Sequence, residues 1–82
     1  MRKAEVRHLI LVILDPIQGA LPESTLEIFL NLRIRPKVAA SEFREAIDWL
    51  SNGGFIGALE NPLDPDVRQW FIKEPGQVVL RQ

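Results

Sequence analysis

The sequence predicts an α+β fold, a core of three helices followed by a β-hairpin. Two observations carry that expectation. Apolar residues recur at helical spacing in three separate segments before Gly53. After Gly53-Gly54 the pattern changes to a short apolar run, a turn-rich stretch and an aromatic-rich return. The chain has 82 residues, enough for one domain, 1–82, with one modest core. A core that small has little stability to spare, so most large apolar side chains are expected inside it.

The first helix is expected over 3–14. Val6, Ile10, Ile13 and Leu14 share one face, with Leu9 beside them. Leu11 and Val12 widen the apolar surface beyond one stripe. A helix apolar on most sides must be covered on most sides, and another chain is a candidate for part of that cover. Asp15-Pro16 ends the helix, because proline disfavours helical geometry in the residue before it. Residues 15–21 form a loop in which Gly19 allows a turn.

The second helix is expected over 22–32, opened by Pro22, with Glu23 and Glu27 near its positive end. Leu26, Phe29, Leu30 and Leu32 would form its buried stripe. Residues 33–40 form a connector, since Pro36 stops helix propagation, with Ile34 and Val38 tucked inward. The third helix, over 41–52, has Ser41 as N-cap and Phe43, Ala46, Ile47 and Leu50 as its core face. Asn52-Gly53-Gly54 is a strong stop.

Phe55–Leu59 reads as a strand, residues 61–66 as a six-residue tip and Val67–Lys73 as the returning strand. The tail from Glu74 favours a short helix opening at Pro75, although Val78-Val79-Leu80 also suits a strand.

Composition narrows the function. Apolar residues make up 46% of the chain and charged residues 26%, ordinary for a folded soluble protein. With no cysteine, neither a disulfide framework nor a thiolate metal site can be built, which suits a cytoplasmic protein. The apolar run of residues 9–14 is too short to span a membrane and lacks a cleavage site. His8 is the only histidine and has no ordered carboxylates around it in sequence. Ser24, Ser41 and Ser51 have no obvious base, and Gly53-Gly54 lacks the rest of a phosphate loop. Asp64 and Asp66 are too few for a calcium loop. The expectation is a binding protein and not an enzyme, with no cofactor, metal or small-molecule substrate.

The segment Ser41-x-Phe43-x-x-Ala46-Ile47-x-x-Leu50-x-x-x-Gly54-Phe55-Ile56 resembles the recognition helix and first wing strand of bacterial winged helix-turn-helix domains. Trp70 to Gly76 resembles their last wing strand and the turn after it, except that Lys73 stands where the family commonly has threonine. Arg7-x-x-Ile10, Leu26-x-x-x-Leu30 and Trp49-Leu50 before Gly54-Phe55-Ile56 are similar in spacing to small winged-helix proteins of Mu-like phages and prophages. The resemblance implies a winged helix-turn-helix fold with a β-hairpin wing. It also implies a DNA-binding transcription regulator or phage accessory factor acting as a dimer. Two features depart from that pattern. The connector of about eight residues exceeds the three or four of a tight helix-turn-helix. The third helix turns Glu42, Glu45 and Asp48 outward, with Arg44 its one basic residue.

Two partners stay open. Double-stranded DNA would be met by Arg33, Arg35, Lys37, Ser41 and Arg44, with Arg68 in the wing. Lys73 and the N-terminal Arg2, Lys3 and Arg7 could extend that rim. The net charge of −1 and the wing-tip acids Asp64 and Asp66 weigh against it. A protein partner or a homodimer would instead use Leu11, Val12, Trp49 and Trp70, unless the two tryptophans cover one another or the core rim.

Overall fold

The structure, a computed structural model, describes residues 2–82 and all their side chains except those of Asn61, Asp64, Pro65 and Asp66. Its elements are α1 (Lys3–Leu14), β1 (Leu21–Pro22), α2 (Glu23–Arg33), α3 (Ala40–Asn52), β2 (Ile56–Asn61), β3 (Asp64–Ile72) and α4 (Glu74–Leu80). The strands form one antiparallel sheet in the order β1-β3-β2. A three-helix core closed by this hairpin is the winged helix the sequence predicts. No helix among the described residues is long and apolar enough to cross a membrane.

α1 is the hub, in contact with α2, α3, β3 and α4. Its unusually wide apolar surface is therefore covered within the chain. Val6, Ile10, Ile13 and Leu14 face the core shared with Leu26, Leu30, Ile47, Leu50 and Ile56. Leu11, on another side, is buried beneath α4. The fit there is close: a Cβ on Gly76 would lie 2.6 Å from the Phe55 carbonyl oxygen and 3.1 Å from Leu11 Cδ2. Glycine lets α4 seat against α1 and the start of the wing.

Pro22 does not open α2. It is extended, at φ −57° and ψ 144°, and serves as the N-cap. Leu21 and Pro22 instead pair with Trp70 and Gln69 as a third strand that the sequence did not signal. Leu26 and Leu30 are buried as expected, but Phe29 and Leu32 are exposed. Leu32 is two residues beyond Leu30, about 200° around the helix, so it points away from the core.

α3 starts at Ala40, with Ala39 and not Ser41 as N-cap. Ser41 lies within the first turn, and the Glu42 carboxylate caps by accepting the Ala39 N–H at 3.3 Å. The hairpin is tighter than expected. Asn61 pairs with Asp64, leaving a two-residue tip at Pro62-Leu63, and β3 absorbs residues 65–67 where the register shifts beside Glu60. A proline cannot donate to the ladder, so this irregularity is a natural place for residue 65. The tail is helical, which decides between the two readings of its sequence.

Candidate nucleic-acid interface

α3 buries Phe43, Ala46, Ile47 and Leu50, leaving Ser41, Arg44, Glu45, Asp48 and Asn52 exposed. The acidic character of this helix is largely answered from within the chain. Arg2 donates from Nε and Nη2 to the two carboxylate oxygens of Glu42, at 3.3 and 3.2 Å. Lys3 Nζ lies 3.1 Å from Glu45. The Arg2 guanidinium holds the Glu42 carboxyl below its ordinary pKa, and the Ala39 N–H adds to that. Of the three acids, Asp48 alone lacks an ion pair among the described residues.

The N-terminal cations are each engaged within the chain. Arg2 is clasped to α3, Lys3 is paired, and the Arg7 guanidinium lies 4.1 Å over the Trp49 ring.

The connector is anchored at alternate points. Ile34 and Val38 are buried, whereas Arg33, Arg35 and Lys37 are exposed. The Val38 N–H donates to Asn31 Oδ1 at 2.7 Å. Arg2 also donates to the carbonyls of Pro36 and Lys37. These ties fix the loop, so its cations stand on a defined surface and not on a free chain. The segment runs straight into α3, so the exposed Arg33, Arg35, Lys37, Ser41 and Arg44 follow one another along the chain from the end of α2 into the second turn of α3. Arg44 lines a shallow pocket of about 160 Å³ between α2 and α3, with Glu23, Ser24 and Glu27 opposite. Among the described residues none of these cations makes an ion pair.

Arg68 stands apart, on the wing. It pairs in register with Glu60 and shares strand parity with Trp70, so it continues the helix-facing side of the sheet beyond the core. The wing-tip side chains of Asp64 and Asp66 lie outside those described.

The suggested protein-contact residues do not form one patch. Leu11 and Trp70 are inside the domain. Trp70 is 3% exposed, and its indole N–H donates to Glu23 Oε1 at 3.2 Å, tying α2 to β3. Trp49 stays 47% exposed but does not meet Trp70. It stacks on Phe55 at 5.6 Å with rings 3° from parallel, and the Arg7 guanidinium lies over its ring. Val12 is half-buried and lies about 140° around α1 from Arg7, away from Trp49. The sequence reading missed the exposed Ile28 and Leu32 on α2. Their spacing of four residues was the available signal.

An open groove of about 250 Å³ between α1, α3 and α4 is lined by Arg7, His8, Leu11, Trp49, Phe55 and Val79. His8 is exposed there. Among the described residues no three His, Cys, Asp or Glu side chains gather to hold a metal ion.

No protein-family model matches this sequence, and no curated protein matches it. Solved structures match the fold. The adhesin competence repressor AdcR of Streptococcus pyogenes superposes with a TM-score of 0.72 at 18% identity, over 93% of this chain and 50% of AdcR. A C-terminally His-tagged form of that protein gives 0.73 at 20% identity, over 96% and 57%. Streptococcus pneumoniae FabT, solved in complex with DNA, gives 0.68 at 18% identity, over 94% and 48%. The chain thus spans about half the length of these proteins. The likeness is one of fold. Of the positions that suggested a phage relation, Ile10, Leu26, Leu30, Leu50 and Ile56 are all buried.

Proposed function

We propose that this chain is a DNA-binding module of a transcription regulator, working in the cytoplasm as a dimer and catalysing no reaction. The observation that carries this reading is the exposed Arg33, Arg35, Lys37 and Arg44, none of them in an ion pair among the described residues, at and before a helix whose Glu42 and Glu45 are already paired. Cations on a fixed connector meet phosphates, while Ser41 and Arg44 on α3 reach base edges in the major groove and Arg68 follows the backbone from the wing. The FabT–DNA complex supports this reading because it shares the fold. A single module with so few phosphate contacts binds loosely, which favours a dimer. The Mu-like resemblance of Arg7-x-x-Ile10 and Leu26-x-x-x-Leu30 supports a phage or prophage regulator.

The test is fluorescence anisotropy with random-sequence duplex at low salt. Measurable binding is expected, weakened by roughly tenfold in Arg35→Ala/Lys37→Ala, which removes two phosphate contacts, and less in Arg44→Ala. Absence of wild-type binding at low salt overturns the proposal. That outcome favours a second reading, a winged helix that binds protein alone, supported by the exposed Ile28, Leu32 and Trp49.

A further inference from the structure

The side of α3 turned from the core is a polar ridge. Ser41, Asp48 and Asn52 lie within about 40° of one another around the helix, with Arg44 and Glu45 on opposite flanks. All five are exposed. Glu45 is paired with Lys3 of α1. Arg44 and Asp48 stand one turn apart, and among the described residues neither makes an ion pair, with the other or with anything else. The ridge therefore carries one uncommitted cation and one uncommitted carboxylate side by side.

A carboxylate on a surface that enters a major groove is repelled by the phosphates around it and gains only where a base offers it a donor. Guanine presents O6 and N7 there and thymine O4, all acceptors. Adenine presents its N6 amino group between two acceptors, its own N7 and the O4 of the paired thymine, which suits an amide that both donates and accepts. The cytosine N4 amino group has an acceptor on one side only, the O6 of the paired guanine, and suits a carboxylate. Arg44 has the opposite requirement, and its fork of donors matches guanine O6 and N7. The four residues from Arg44 to Asp48 rise about 6 Å, less than two base steps of about 3.4 Å.

Resting on the DNA-binding reading, in which α3 enters the major groove, we infer that Asp48 determines sequence specificity, its carboxylate accepting a hydrogen bond from the N4 amino group of a cytosine. Arg44 donates to a guanine within two base pairs of it, so α3 reads a short element containing G·C pairs. Over the other bases the Asp48 charge faces acceptors, and those sites bind less well. An unpaired charge set against wrong partners is a general source of specificity. The acid that lowers general affinity for duplex thus selects the right one.

Selection of bound duplexes from a random-sequence pool at low salt tests it. The wild type should enrich a cytosine with a guanine within two base pairs. Replacing the selected C·G pair by T·A should weaken wild-type binding by roughly tenfold. Asp48→Ala should bind those two duplexes equally. It should also bind unselected duplex at least as tightly as the wild type, having lost a repelling charge. Asp48→Asn keeps the shape and adds a donor, so it should shift the preference from cytosine to adenine. Asp48 is exposed, so both variants should keep the wild-type melting temperature. A wild type that binds no duplex overturns the DNA reading and the role of Asp48 with it. A wild type that binds but enriches no cytosine overturns the role of Asp48 alone, as does a cytosine preference that survives in Asp48→Ala.

Discussion

Arg2 shows how much one half-buried side chain organises. Its planar guanidinium reaches Glu42, the Pro36 carbonyl and the Lys37 carbonyl at once, joining the start of α1 to the connector and the first turn of α3. Lysine, with a compact ammonium on a flexible stem, could not present that fork. The same contact makes Glu42 a reporter. Its carboxyl is held below the ordinary value, first by the Arg2 hydrogen bond and then by the Ala39 N–H. A depressed folded pKa means that the charged form is favoured by folding. The stabilisation is complete above the unfolded glutamate value of about 4.3 and is lost as pH falls through the lower folded value. Carboxyl NMR titration should find Glu42 below an ordinary glutamate in the wild type and raised in Arg2→Ala. Part of the acid-range loss of stability should vanish in that variant. An unmoved titration would mean that the clasp is not formed in solution.

The connector between α2 and α3 is longer than a tight helix-turn-helix needs, and it is rigid because its own residues fasten it. Asn31, on the last turn of α2, accepts the Val38 N–H at 2.7 Å while Val38 itself is buried. Asn31→Ala leaves that donor without its partner in a partly buried place and should cost about 1–3 kcal/mol. Amide exchange should show it locally, with Val38 exchanging faster and the α1 core little changed. Uniform acceleration would indicate a global and not a local role. The inward turn of Val38 and Ile34 was legible in the sequence, as were the three helices, because apolar spacing at 3.6 residues records a buried face directly. β1 was not legible, since two residues cannot display an alternating pattern and Leu21-Pro22 pairs only because β3 lies alongside. Leu32 misled because its hydrophobicity suggested burial, although its angle from Leu30 denied it. Ser41 misled because the intrinsic preference of serine for a cap was overridden by a helix beginning at Ala40. The candidate site was half legible. Its cations could be named, but Arg2–Glu42 and Lys3–Glu45 join residues about forty positions apart, and no local pattern records such pairings. They change the electrostatic reading of α3 from repelling to nearly neutral.

At the scale of the whole molecule, a net charge of −1 gives no general attraction to nucleic acid. Any duplex binding must therefore be local, and salt dependence measures how local. Each phosphate neutralised on a duplex contributes about −0.9 to the slope of log K against log salt. If Arg35, Lys37 and Arg68 each take one phosphate, the slope per protomer should be about −2.7. A dimer engaging both copies should double it. Arg68→Ala should make the slope shallower by about 0.9, because the wing contact is separate from the connector and its loss should not disturb the others. Arg81, at the C-cap of α4, is the contrasting position: it is exposed and as cationic as Arg68, but it belongs to neither α3 nor the wing. Arg81→Ala should leave the slope unchanged. Equal slopes for the two variants would show that charge acts diffusely over the surface, and the assignment of the wing to the DNA backbone would fail even if binding itself were real.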